Sequence, residues 1–250
     1  MKILFLIILL VLLVPKIQAF GEDEGNVDIE IELLSSIPGR DLQWDWWQAR
    51  TAFVPSSKDG KEAKSKWVTT MSETGRAVSH DFHDIFESVS YDQGATWSKP
   101  KRLDSLRRFK QDDGYEVSAG DLWPTYHKKS GKVIATGKTF NFEKGTNENI
   151  RREKVSYAVM DPKNGEWGKL RFLEMPEKDY AGNIITAANA GNTQRVDLPN
   201  GDILLPVRYM ADSKKVNYTS IVALCRFDGE KLVYIKIGRA SCRERVSTSV

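Results

Sequence analysis

Beyond its first twenty residues the chain is built of short runs rich in β-branched and aromatic residues, broken by clusters of Gly, Asp, Asn and Pro. No apolar set keeps a 3.6-residue spacing for several turns, so long amphipathic helices are not predicted and short strands are. The runs recur. Lys66–Met71, Lys132–Gly137 and Asp202–Val207 lie about 65 to 70 residues apart, and so do the runs that come after them, Ile85–Ser90, Lys154–Val159 and Ser220–Cys225. After the second set come Asp92-Gln93-Gly94, Asp161 to Gly165 and Asp228-Gly229, which are turn chemistry because Gly supplies positive φ and Asp bonds nearby backbone. A unit of a few antiparallel strands cannot bury both of its faces alone, and stacking such units radially gives a β-propeller. The predicted fold is therefore all-β, a propeller with about three units present; a β-sandwich with accidental self-similarity is the alternative.

The two ends read differently from this middle. Lys2, the apolar run Ile3–Val14 and a small residue at Ala19 form the three regions of a secretory signal peptide, so residues 1–19 are expected to be cleaved. The run is short of the roughly 20 apolar residues a membrane span needs, and no stable span is expected after cleavage. The implied location is secreted, periplasmic or cell-surface. Residues 237–250, Ile237-Gly238-Arg239-Ala240-Ser241-Cys242-Arg243-Glu244-Arg245-Val246 onward, resemble a translated sequencing adapter and are expected to be non-native, leaving 20–236 as the folded segment. Setting aside Lys2, Lys16, Arg239, Arg243, Arg245 and Glu244 takes four charges off the formal +3 and leaves about −1. The apparent basicity thus gives no reason to expect a nucleic-acid partner. Setting aside Cys242 as well leaves Cys225 alone in an apolar run, a buried hydrophobe and not half of a disulfide.

One motif is specific. Ser90-Tyr91-Asp92-Gln93-Gly94-Ala95-Thr96-Trp97 fits the Asp-box pattern Ser-x-Asp-x-Gly-x-Thr-Trp at every specified position, Ser90, Asp92, Gly94, Thr96 and Trp97. Its chemistry is structural: the carboxylate accepts turn amides, Gly takes positive φ and Trp packs under the hairpin. Asp92 is therefore read as scaffold. Degenerate echoes stand at Asp161–Trp167 and at Phe227-Asp228-Gly229. On these residues the chain resembles the sialidases and related BNR-repeat propellers, for which the resemblance implies six blades in an intact parent and an exo-sialidase activity on glycans ending in sialic acid or a similar acidic sugar. It also implies site residues. Arg50, in Gln48-Ala49-Arg50-Thr51-Ala52-Phe53, matches the family's first-blade Arg that grips the substrate carboxylate, although the usual Ile-Pro after it is missing. Arg76, in Gly75–Asp84, matches a second supporting Arg, and Asp81, or failing that Asp84, matches the acid/base.

A raised pKa and access to the leaving oxygen are what such an acid needs, and a loop beside Phe82 offers both. Glu116, Asp121 and Trp123 in the second unit, with Gln194 and Arg195 in the third, precede β-prone runs, as residues of innermost strands do; they are candidates for sugar contacts, with Trp123 a stacking face. Each can equally satisfy loop amides. The spacing His80-Asp81-x-His83-Asp84 offers metal-type ligands, but neighbours on one strand or loop do not converge on an ion, so no metal or other cofactor is expected. His127, beside Lys128 and Lys129, reads as a solvated loop residue. The resemblance further implies a Tyr nucleophile, its Glu and more Arg residues from later blades, which this chain does not contain; sialidases are the exception to the usual two-carboxylate scheme. The expected partner is an acidic-sugar glycan. A non-catalytic carbohydrate-binding propeller is the alternative from another class, and a propeller hydrolase or lyase on another sugar is a third.

Overall fold

The computed structural model describes residues 43–56, 64–76, 81–146, 149–212 and 218–238, with Ile31 and Ile37. The chain divides into Met1–Leu34 and Ser35–Val250, and every strand named below belongs to the second unit. The signal-peptide segment, His80 and residues 239–250 lie outside the described residues.

The described residues form three antiparallel sheets and no α-helix. The first contains β1 (Trp44–Val54), β2 (Lys66–Gly75), β3 (Phe82–Ser90) and β4 (Lys101–Arg102), in that order. The second contains β5 (Phe109–Lys110), β6 (Glu116–His127), β7 (Lys132–Phe142), β8 (Asn149–Ile150), β9 (Val155–Asp161), β10 (Glu166–Trp167) and β11 (Arg171–Phe172). Its main path is β6-β7-β9. The third contains β12 (Ala187–Asn189), β13 (Val196–Asp197), β14 (Asp202–Met210), β15 (Tyr218–Phe227) and β16 (Leu232–Gly238), with β12 and β13 both on the same edge of β14. The two recurring sets of β-prone runs are the second and third strands of these sheets. β16 continues through Ile237 and Gly238, which pair with Ala223 and Val222.

Strand alternation explains how the sheets become blades of a propeller. On β7, Val133 and Ala135 turn to the first sheet, where they join Ala52, Val54, Val68 and Ile85 in one core. Ile134 between them turns the other way and joins Ile203, Leu205, Ala223 and Cys225 of the third sheet in another. A period of two on a strand buried on both faces thus makes two separate inter-blade cores. Each buried aliphatic side chain contributes about 1.5–3 kcal/mol to the junction it enters. Cys225 is fully buried and its thiol is pushed up to about 12 by burial, as expected of an inert packing residue.

The Asp-box closes β3. Asp92 Oδ1 accepts the Ser90 hydroxyl at 2.8 Å and the Thr96 amide at 2.9 Å, while Oδ2 accepts the Thr96 hydroxyl at 2.6 Å. Gly94 sits at φ 93°, its amide donating to Ser90 Oγ at 2.8 Å, and Trp97 tilts against Trp67 with ring centroids 6.5 Å apart. Thr96, through hydroxyl and amide, and then Ser90 hold the Asp92 carboxyl at about 2. A folded-state value below the unfolded one means stability that is fully present above the ordinary carboxylate range and is lost as pH falls through about 2. Asp179 behaves alike: the buried Tyr209 hydroxyl donates to it at 2.6 Å, Asn183 at 3.0 Å, and its carboxyl also lies at about 2. The urea midpoint is therefore expected to be flat above pH 5 and to fall between pH 4 and 2. Asp92→Asn should lower it at neutral pH and make that acid limb shallower; a limb of unchanged slope in Asp92→Asn and Asp179→Asn together would contradict the assignment.

His127 departs from the sequence reading. It is 1% exposed at the end of β6, with Nδ1 2.8 Å from Ser130 Oγ and Nε2 2.9 Å from the carbonyl of Gly201. The alternation of β6 runs one residue past the point where the lysines suggest a loop, so the imidazole faces the third blade and the turn begins after it.

Candidate active site

The first strands of the three blades converge, and each is interrupted by a polar residue with positive φ. Gln48 stands at φ 58°, Asp121 at 52° and Asn192 at 57°. The first two sit in register shifts, between Trp47 and Arg50 on β1 and between Gly120 and Trp123 on β6; the third lies in the break between β12 and β13. Non-glycine residues at positive φ cost energy and persist only where the surroundings hold them. The holding contacts run between blades: Gln48 Oε1 accepts the Asp121 amide at 2.9 Å, and β7 leaves room for the bulge because residue 137 is Gly, whose missing Cβ would stand 2.5 Å from the Gly120 carbonyl oxygen.

Two residues beyond each interruption come Arg50, Trp123 and Gln194. The structure brings the first two together. The Arg50 guanidinium lies 5.0 Å from the centroid of the Trp123 ring and donates to Asn192 Oδ1 at 2.8 Å and to the Ala49 carbonyl at 2.8 Å. Residues of all three blades therefore meet at Arg50, a cation–π contact with an amide clamp. Gln194 is exposed. Asp121 is 1% exposed, its Oδ2 3.3 Å from Nζ of the partly buried Lys138, so the two charges offset each other.

Asp81 anchors a second group at the other end of β1. Its side chain is 10% exposed, Oδ1 lies 2.8 Å from His83 Nε2, and its carbonyl accepts the Gly75 amide at 2.9 Å. Gly75 is required here, because a Cβ would overlap Asp81 Oδ2. Arg76 comes directly after, exposed, with its guanidinium 3.5 Å from Asp45. Trp44 meets His83 edge-on at 4.7 Å, and Trp47, half exposed, meets Phe82 at 6.0 Å. Asp81, His83 and Trp44 thus form one contact set, while Arg76 with Asp45, and Trp47 with Phe82, form separate contacts, Trp47 being on the opposite face of β1 from Trp44.

The two groups are not one contact set. Arg50 pairs with Thr70 and Trp44 with Gly75, five residues along β2, which is roughly 16 Å of strand. Arg50 and Asp81 therefore belong to separate contact sets, Asp81 with His83 and Trp44, and Arg50 with Trp123 and Asn192. They are joined through packing: Phe82 stacks on Phe140 at 4.0 Å, and Lys138 covers Phe140 at 4.3 Å before reaching Asp121.

The remaining candidates serve the scaffold. Asp84 Oδ1 accepts the Arg108 amide at 2.9 Å, and Arg102 and Arg107 lie 3.9 Å from its Oδ2. Glu116 is 2.8 Å from Arg108 Nε. Arg195 is 4% exposed and donates to the carbonyls of Ile134 and Thr125 and to Asp197, tying the third blade to the second. Among the described residues no cluster of His, Cys, Asp and Glu could hold a metal ion. Asn192, Gln48 and the indoles of Trp44 and Trp47 are not singled out in the sequence, and His83 is weighed there only as a metal-type ligand. The spacing of 73 and 71 residues between Gln48, Asp121 and Asn192 is a signal that could have found the first two.

Fifty-four solved chains match the structure. The sialidase of Trypanosoma rangeli superposes with a TM-score of 0.55 at 16% identity, covering 78% of this chain and 31% of that one. A Hadza microbial sialidase gives 0.52 at 12% identity, with 79% and 38% covered. The T. rangeli enzyme in complex with sialic acid gives 0.50 at 16% identity, with 76% and 31% covered. The chain spans about a third of the length of these sialidases. No protein-family model matches the sequence, nor does any curated protein.

Proposed function

Starting from a chain with the sialidase-type β-propeller fold, we propose that it is part of a sialidase-like glycoside hydrolase acting on glycans that end in sialic acid or a similar acidic sugar. The observation that carries this is the placement of Asp81 where β3 meets the end of β2: its carbonyl accepts the Gly75 amide, Arg76 follows Gly75 in the chain, and the indole of Trp44 packs against His83, the partner of the Asp81 carboxylate. Asp81 supplies the acid/base. Arg76, the guanidinium nearest to it in the chain, faces the sugar carboxylate, which a planar fork binds better than an ammonium does. Arg50 and Trp123, farther along β1 and β6, hold a more distant part of the glycan by stacking and hydrogen bonding.

The nucleophile and further guanidinium groups belong to blades beyond these three, so the chain alone is inactive and the intact parent is the enzyme. Export by the N-terminal segment places it outside the cytoplasm. The test is turnover of an aryl α-sialoside by the parent between pH 4 and 8; hydrolysis is expected, and none across that range removes the proposal. A non-catalytic glycan-binding propeller is the second reading, favoured by the enclosure of the Asp81 carboxylate between His83 and Gly75. It predicts glycan affinity without turnover.

A further inference from the structure

An acid enclosed as Asp81 is needs a route by which to regain a proton once it has given one up. Its side chain is 10% exposed, with Oδ1 2.8 Å from His83 Nε2 and Oδ2 lying where a Cβ on residue 75 would fall. His83 is the more open partner, at 25%. Asp81 directly precedes β3 and His83 is its second residue, so the extended backbone puts both side chains on one face. The imidazole is held in place from the other strands. Trp44 of β1 meets it edge-on at 4.7 Å, and the buried Ser118 hydroxyl of β6 donates to the His83 carbonyl. With Nε2 committed to Asp81, Nδ1 is the ring nitrogen left to exchange a proton with solvent.

The charges around the pair are matched among themselves. Asp45 on β1 lies 3.5 Å from Arg76, Glu116 on β6 lies 2.8 Å from Arg108, and Asp84 on β3 accepts the Arg108 amide with Arg102 and Arg107 at 3.9 Å. Glu73 is the further acid of this end, buried on β2. Each of these guanidinium groups has a carboxylate of its own, and the group bonded to the Asp81 carboxylate is His83.

We infer that His83 is a positioning residue for Asp81: the two side chains hold one proton between Oδ1 and Nε2, and His83 keeps it within reach of Asp81 at neutral pH. The inference rests on the reading of Asp81 as acid/base and deepens it. An imidazole changes charge between about pH 5 and 8, whereas a lone carboxyl is bare above about pH 4. When the glycosidic C–O bond breaks, its electron pair stays with the leaving oxygen, which takes the proton from Asp81, while the anomeric carbon bonds to the nucleophile. The pair is left as a carboxylate and a neutral imidazole. The water that displaces the nucleophile returns a proton to it.

The experiment compares kcat/KM of the intact parent and of His83→Gln on a natural sialoside from pH 4 to 8, with a 4-nitrophenyl sialoside as control. Gln keeps a donor for Asp81 Oδ1 but stores no proton. On the natural linkage the basic limb is expected in the neutral range for the parent and at least about one pH unit lower for His83→Gln, so that the variant loses about tenfold or more at pH 7 and little at pH 4. On the 4-nitrophenyl sialoside, which needs no proton, the two should agree within a few-fold, and that agreement shows that the variant folds. A basic limb that His83→Gln leaves in place overturns the inference, as does an equal loss on both substrates. Imidazole ¹⁵N NMR of the chain itself tests the pair without turnover: the charge change of His83 should move to lower pH in Asp81→Asn, and one that does not move overturns the inference as well. No turnover by the unsubstituted parent, with that NMR shift present, strikes the hydrolase reading and leaves the shared proton standing.

Discussion

Asp81→Ala in the intact parent is expected to lower kcat on a natural glycosidic linkage by about 10²–10⁴-fold, the range a positioned general acid supplies. The loss should be much smaller on a 4-nitrophenyl glycoside, whose leaving group departs without a proton. This split is what separates an acid from a packing residue. Asp81 is also bonded to His83 and seated over Gly75, so its removal disturbs the β2–β3 connection, but a disturbed connection slows both substrates alike. Equal losses on the two substrates, or a loss below tenfold on the natural one, would take the acid role from Asp81.

The largest effect on stability is expected at Arg195. Its guanidinium is buried, and its donors reach the carbonyls of Thr125 and Ile134, which stand opposite each other on β6 and β7, as well as Asp197 at 2.8 Å. Arg195→Ala removes a blade-to-blade tie and leaves buried acceptors and a carboxylate without their donor, a loss of about 3 kcal/mol. Arg195→Lys should recover little of it, since an ammonium cannot reproduce the fork that spans two carbonyls and a carboxylate. Chemical denaturation followed by Trp fluorescence measures both. A change below about 1 kcal/mol for Arg195→Ala would show that the tie is replaced by solvent.

How much of the molecule is legible in the sequence depends on the range of the interactions involved. The second and third strands of each blade show themselves as recurring β-prone runs, because a strand buried on both faces needs nearly continuous apolar residues. The Asp-box is equally plain, since its bonds close within a few residues, from Ser90 to Thr96. The innermost strands are harder, because positive-φ residues at Gln48 and Asp121 break the alternation that marks a strand. Burial of His127 and Arg195 depends on the neighbouring blade, which no local pattern records. The separation of Arg50 from Asp81 likewise rests on register: a motif resemblance places both in the first blade, but only the pairing of Arg50 with Thr70 and of Trp44 with Gly75 reveals the strand length between them.

That separation directs the central test to the assignment of carboxylate recognition to Arg76, which follows β2 and precedes Asp81 in the chain. The direct measurement is calorimetric titration of the intact parent, and of its Arg76→Ala and Arg50→Ala variants, with sialic acid and with its methyl ester. A charge-assisted hydrogen bond worth about 1.5–3 kcal/mol corresponds to a preference for the acid of about 10- to 100-fold. The preference should vanish in Arg76→Ala, while Arg50→Ala should weaken acid and ester alike. Retention of the preference in Arg76→Ala together with its loss in Arg50→Ala would contradict the account and move the sugar carboxylate to the Trp123 group.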